Sequence, residues 1–220
     1  MEQGSSILAG IRQDAFSFAQ AKAAYRLIGN KKMTPEKILS PHVQKTMQRM
    51  KIEERVFAVQ DTSTLNYGTH LETDGLGAIG IGGAGRGLFL HTTEIFNASG
   101  TPIGILDQLP WSREETDAED HPLYEAEVDR WCLSLEKIHM AQRKLANTQI
   151  ITLSDRETDF NDYLLRAKEL GLKVVVRCKS EIRVNDKGEF LKDALDKSEL
   201  LGTISLKVRF TWKCEQKKSH

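Results

Sequence analysis

The chain has 220 residues, 31 of them basic and 31 acidic, giving a formal net charge of zero; 40% are apolar and 28% charged. That is the composition of a globular protein with room for one sizeable core. It excludes a helical membrane span, since no apolar run approaches ~18 residues. It also excludes a disulfide scaffold or CxxC zinc site within the chain, since Cys132, Cys178 and Cys214 lie far apart and one must stay unpaired.

Ala15 to Ile28 is alanine-rich and reads as a helix stopped at Gly29-Asn30. Thr34-Pro35-Glu36 and Ser40-Pro41 each look like an N-cap followed by proline, and the second is expected to open a helix to about Met50. Val56 to Val59 is a short apolar run, read as a buried strand that delivers Gln60-Asp61-Thr62-Ser63-Thr64 at its end. Seven glycines follow between Gly75 and Gly87. Leu88–Phe96 and Ile103–Leu109 read as two strands, joined by turn residues into a hairpin. Trp111–Asp120 reads as an acidic surface loop. Leu123–Leu145 reads as a long helix whose Tyr124, Val128, Trp131, Leu135, Ile138 and Leu145 make one apolar stripe.

Ile150–Leu153 is expected to be a buried strand ending at Ser154-Asp155-Arg156-Glu157. Phe160, Tyr163, Leu164, Ala167 and Leu170 predict a helix face closed by Gly171. Val174–Val176 reads as a third central strand, leading into Arg177. Phe190–Leu195 suggests a short helix and Thr203–Trp212 a strand. Strand, hairpin, helix, strand, helix, strand predicts an α/β fold: a mixed sheet with helices against it, in the element order of the ribonuclease-H-like fold. The unit from Ile150 to Val176 should be parallel and right-handed.

Charge is uneven along this order: +1 to Pro110, −7 from Trp111 to Leu165 and +6 from Arg166 to His220. The basic end fits either a solvated lysine-rich surface or an anionic partner such as nucleic acid. Asp61 and Asp155 each follow a short apolar run, so both are expected just beyond strand C-termini, where α/β sheets bind ligands. If the strands are neighbours the carboxylates converge, and Mg²⁺ suits such a pair. Either residue alone is more simply explained as a turn or cap. Arg177 could meet a phosphate or pair with one of the acids. Gly75–Gly80 and Gly80–Gly85 both fit GxGxxG, but a strand rather than a helix is expected next, which argues against a dinucleotide site. His91 reads as a structural histidine and Cys132 and Cys178 as inert thiols. Glu157 and Asp159 are expected to open a helix, where acids favour the positive end of the dipole.

Ala58-Val59-Gln60-Asp61-Thr62-Ser63-Thr64-Leu65-Asn66-Tyr67 resembles the first aspartate segment of DDE transposases of the insertion-sequence-four family, the branch that contains the transposase of transposon Tn-five. Leu153 to Asp159 resembles the second aspartate segment, and Val175-Val176-Arg177-Cys178-Lys179 the strand after it. Gly85–His91 and Gly104-Ile105-Leu106 are similar to the hairpin between, and Ala21–Ile28 to the segment before the catalytic domain. The likeness runs in order from about Ala19 to Leu206.

The resemblance implies DNA strand cleavage and joining by a ribonuclease-H-like core, with Asp61 and Asp155 as catalytic residues and ligands of Mg²⁺, or of Mn²⁺ in its place. It implies Arg177 as a DNA contact, transposon-end DNA as partner, a second copy or a full-length transposase as further partners, and no membrane. It divides the chain into a helical segment 1–54 (a remnant of the DNA-binding region), an incomplete core 55–182, and the start of an inserted β region 183–220. The family's third acid, a glutamate in a Tyr…Arg…Glu…Lys segment, finds no match. The chain therefore looks like a fragment truncated at both ends, expected to bind metal weakly and to perform no transposition alone. The alternative is a non-catalytic product that binds DNA or full-length transposase and inhibits it. Met1–Gly10 carries no secretory pattern, so a cytoplasmic location is expected.

Overall fold

A computed structural model describes residues 18–69, 73–80, 85–113, 123–179, 188–200 and 202–203. The chain divides into two compact units, Met1–Cys178 and Lys179–His220. In the second, the described residues hold one short helix, Leu191–Asp196. The expected Thr203–Trp212 strand and Cys214 lie outside the described residues, apart from Thr203 itself, as do Met1–Gly10 and the acidic run 114–120.

The first unit opens with α1 (Phe18–Ile28) and α2 (Pro35–Met50). α1 ends at Gly29, whose N–H bonds the Tyr25 carbonyl at 2.9 Å without a left-handed backbone. For α2 the first of the two cap signals is the one used: the Thr34 hydroxyl accepts from the Lys37 N–H at 3.4 Å, and Pro35 takes the first position. Ser40-Pro41, expected to start the helix, lies inside it. The helix tolerates Pro41 at the loss of one backbone bond.

The sheet contains β1 (Arg55–Asn66), β2 (Gly77–Ile79), β3 (Gly85–Asn97), β4 (Pro102–Trp111), β5 (Gln149–Ser154) and β6 (Lys173–Val176). β1 pairs antiparallel with β3 and parallel with β5, and β5 pairs parallel with β6. β2 and β4 share the other edge of β3, end to end. Taking the five main strands, the order is β4-β3-β1-β5-β6, three antiparallel and then two parallel to the first. This is the expected ribonuclease-H-like mixed sheet. β6 is its edge, not a central strand, and Val175 there is exposed. β4 is the opposite edge, and both of its prolines, Pro102 and Pro110, sit where a missing donor costs little.

The helices α3 (Leu123–Arg143) and α4 (Asn161–Glu169) complete the unit. α2 and α3 close one core cluster with Val56, Ala58, Ile95 and Ile150. α3 and α4 close a second, with Trp131, Leu135, Tyr163 and Ala167. The strand residues in both clusters come from one sheet face. On the opposite face Phe57, Val59, Ile151 and Leu153 are half-buried. The predicted stripe of α3 holds at Trp131, Leu135 and Ile138, and Leu145 beyond the helix is also buried. Leu164, expected on the core face of α4, is exposed, whereas Phe160, Tyr163, Ala167 and Leu170 pack inward. Gly171 ends the α4 segment at φ 65°, the left-handed conformation that only glycine adopts cheaply. Trp111, expected in a surface loop, is the buried last residue of β4, stacked on Phe89 at 4.6 Å.

Candidate nucleic-acid and metal site

Val59 of β1, Leu153 of β5 and Val175 of β6 form one continuous rung across three parallel strands. Asp61, Asp155 and Arg177 each follow this rung by two residues along the chain. Asp61 is still inside β1, whereas Asp155 and Arg177 are the first residues past the ends of β5 and β6. The Arg177 N–H bonds the Ser154 carbonyl at 3.1 Å, one bond beyond the β5–β6 ladder.

Asp61 does not lie beyond its strand. β1 runs on to Asn66 because β3 continues beside it, and Asp61 pairs with Thr92. It lies beyond only the β5 pairing, which stops at Val59. Its neighbour Gln60 is buried on the helix-covered face and accepts from the Tyr163 hydroxyl at 2.7 Å. Strand alternation therefore turns Asp61 to the opposite face, where it is exposed. It makes no hydrogen bond or ion pair among the described residues.

Asp155 leaves β5 as the N-cap of a 3₁₀ turn, Arg156–Thr158, and its Oδ1 accepts from the Glu157 N–H at 2.8 Å. The capping and the metal-ligand readings are thus compatible: one oxygen caps, the second stays available. Glu157 belongs to this turn, and Asp159 caps its far end. Neither opens α4, whose N-cap is Phe160. Arg177 is exposed and pairs with neither aspartate. The ion-pair alternative for it is not realised among the described residues.

The donor set suits a hard cation. Two exposed carboxylates on neighbouring segments offer oxygens, and Mg²⁺ is commonly held by one or two carboxylates with water and phosphate filling the rest. No group of three His, Cys, Asp or Glu side chains that could hold a metal occurs among the described residues.

The other sequence candidates have structural roles. His91 is fully buried; its Nδ1 lies 2.9 Å from the Thr62 hydroxyl and its ring stands edge-on to Trp131 at 4.3 Å. Burial pulls its pKa down to about 4, so it is neutral at pH 7. Burial raises the thiol pKa of Cys132, which suits an unreactive cysteine. The glycine segment forms β2 and pairs Gly77–Ile79 with Gly85–Gly87. A strand follows it, without the helix a dinucleotide site requires; residues 81–84 lie outside the described set. A cavity of about 380 Å³ lined by Glu54, Gln142, Gln149 and Lys173 lies at the far end of β5, away from the aspartates. Sequence reasoning passed over Arg113 and Arg130, which flank the buried Phe89–Trp111 pair. Their contact partners come from distant strands, so no local spacing marks them.

No protein-family model matches the chain. Among solved structures it is similar to one described as the crystal structure of the Mos1 strand transfer complex, at 15% identity and a TM-score of 0.30. The alignment covers 74% of this chain and 51% of that one, so the chain spans about half the length of the structure it matches. No described helix is long and apolar enough to cross a membrane.

Proposed function

We propose that this chain supplies the two-aspartate part of a DNA strand-transfer site of the DDE transposase type, in the insertion-sequence-four branch that its motifs resemble. The observation that supports the reading is the Val59–Leu153–Val175 rung, which Asp61, Asp155 and Arg177 each follow by two residues. The motif likeness singles out the same three residues.

Asp61 and the free oxygen of Asp155 would hold Mg²⁺, or Mn²⁺, where the β1–β5 pairing ends. When bound, the metal supplies charge stabilisation at phosphorus and a more acidic water. The chain's own contribution is positional. Asp155 is fixed by its cap to Glu157, Asp61 is fixed in the β1–β3 ladder, and Arg177 presents a permanent cation to a strand phosphate from the next strand. A second copy or a full-length transposase as partner, and the boundaries at 54 and 182, belong to the same proposal.

The test is metal binding followed by DNA chemistry. Mn²⁺ bound by the whole chain is measured by electron paramagnetic resonance, alongside Asp61→Asn and Asp155→Asn. The reading expects at least tenfold weaker binding in each variant, since each removes one of two charged ligands. Equal Mn²⁺ binding in all three proteins would sink it. Metal and DNA binding without strand cleavage would select the inhibitory product over the catalyst.

A further inference from the structure

β5 leaves the sheet at Ser154 and Asp155. Its pairing with β1 ends at Leu153 and its pairing with β6 ends at Ser154. The proposed metal ligand Asp155 therefore stands past both ladders, and its orientation depends on local bonds. Its carboxylate makes one of them: Oδ1 accepts from the Glu157 N–H at 2.8 Å. That bond is exposed, so water competes for both of its partners.

A second set of bonds lies beneath the first. The Thr158 hydroxyl donates to the Asp155 carbonyl at 3.0 Å and lies 2.6 Å from the Ser154 hydroxyl. A hydroxyl has one hydrogen to give. That of Thr158 goes to Asp155, so the Ser154 hydroxyl is the donor in the 2.6 Å bond. The Ser154 carbonyl accepts in turn from the Arg177 N–H at 3.1 Å. The bonds thus run from Arg177 through Ser154 and Thr158 to the backbone of Asp155. Thr158 has no exposed surface, so these bonds are shielded from solvent at its end. Thr152 on β5 is equally buried, yet its hydroxyl has no partner among the described residues. A buried threonine hydroxyl beside this strand is therefore not tied in as a matter of course.

We infer that Thr158 is a positioning residue of the metal site. Its hydroxyl holds the Asp155 carbonyl, and with it the backbone from which the carboxylate projects. The inference rests on the function proposed above. Thr158 acts only through Asp155 and is not a catalytic residue. Groups that orient a metal ligand from behind change metal affinity even though they never touch the metal. Without the Thr158 hydroxyl, the exposed Glu157 bond alone would orient the ligand.

The experiment is Mn²⁺ binding to the whole chain, followed by electron paramagnetic resonance. Thr158→Val keeps the shape and removes the hydroxyl, and should weaken binding about five- to tenfold. Thr158→Ser keeps the hydroxyl and removes a buried methyl, and should bind within about twofold of the unaltered chain. Both substitutions lower the melting temperature, the first by leaving polar partners unpaired and the second by leaving a gap. A merely structural role would therefore weaken binding in both, whereas positioning weakens it in Thr158→Val alone. Thr152→Val removes a buried hydroxyl without a partner and should leave Mn²⁺ affinity unchanged. Ser154→Ala removes the donor behind Thr158 and should weaken binding about two- to threefold. Circular dichroism checks that each variant folds, and Ser154→Ala keeps the test decisive if Thr158→Val does not. Unchanged affinity in Thr158→Val, or in Ser154→Ala where the former does not fold, overturns the positioning role. So does equal weakening in Thr158→Val and Thr158→Ser. In either case Asp61→Asn and Asp155→Asn still weaken binding, and the function reading stands. If the unaltered chain binds no Mn²⁺, or those two asparagine variants bind it equally well, the function reading fails and the inference fails with it.

Discussion

His91 offers the most direct test of how β1 and β3 are held together. It is fully buried and burial lowers its pKa from 6.5 to about 4. In the unfolded chain it titrates near 6.5. Between pH 6.5 and 4 the unfolded state therefore holds a proton that the folded state refuses. Its contribution to stability is complete above about pH 7 and is lost as pH falls toward 4. The difference is about 2.5 pH units, and at 1.36 kcal/mol each this is about 3 kcal/mol. Asp107 works the other way. Burial raises its pKa, the first of several causes, so its folded form keeps a proton to higher pH and its contribution falls as pH rises above 3.8. The two slopes overlap, and raw stability against pH mixes them. The clean quantity is the stability difference between the native chain and His91→Gln, from urea midpoints at pH 4, 5, 6 and 7, in which the Asp107 contribution cancels. That difference should shrink by about 3 kcal/mol between pH 7 and pH 4. If the two stability curves run parallel over this range, the ring is hydrated or partnered in solution and the reasoning is wrong.

Other perturbations separate the scaffold from the site. Gly87→Ala would place a Cβ 1.9 Å from the Leu65 carbonyl oxygen in the neighbouring strand. Backbone cannot yield cheaply there, so a loss of about 3 kcal/mol is expected in urea unfolding; less than 1 kcal/mol would mean the β1–β3 register is misjudged at that end. Tyr163→Phe removes the 2.7 Å bond to Gln60 and strands a buried amide oxygen, with an expected cost of about 1 to 3 kcal/mol and no change in Mn²⁺ binding. Arg177→Gln should leave the melting temperature within a degree or two, since Arg177 is exposed, yet weaken DNA binding and lower its salt dependence. A large stability loss with unchanged DNA affinity would make Arg177 a structural residue.

The elements themselves were legible because their signals are local. Apolar runs at Val56–Val59 and Ile150–Leu153 gave the parallel pair, turn residues at Asn97–Pro102 gave the hairpin, and the α3 stripe gave the long helix. What failed was set by neighbours. β1 was read as ending near Val59 because its apolar pattern stops there, but β3 carries pairing to Asn66 and so places Asp61 within a strand. Trp111 suits a packing residue, as its burial bears out, but the acidic sequence after it hides that it ends a strand, where it stacks on Phe89 of the next one. Val174–Val176 looks central because three valines suit a strand covered on both faces, yet it borders only β5 and leaves Val175 exposed.

The same distinction governs the site. Motif spacing could name Asp61, Asp155 and Arg177, but it could not say that each follows one shared rung of the sheet by two residues. That depends on the register of two parallel pairings, and a one-residue slip in either would turn its residue to the other face of the sheet. Gln60 guards against the slip in β1: its amide is buried and tied to Tyr163, so shifting the strand by one would drive Asp61 into that apolar position and expose the partnered amide. Burying a lone carboxylate there costs far more than burying a hydrogen-bonded amide. The Gln60–Tyr163 bond therefore does more than fill the core. By fixing which face Gln60 occupies, it fixes which face Asp61 presents, and so a contact on the covered side sets the geometry of the carboxylates on the other.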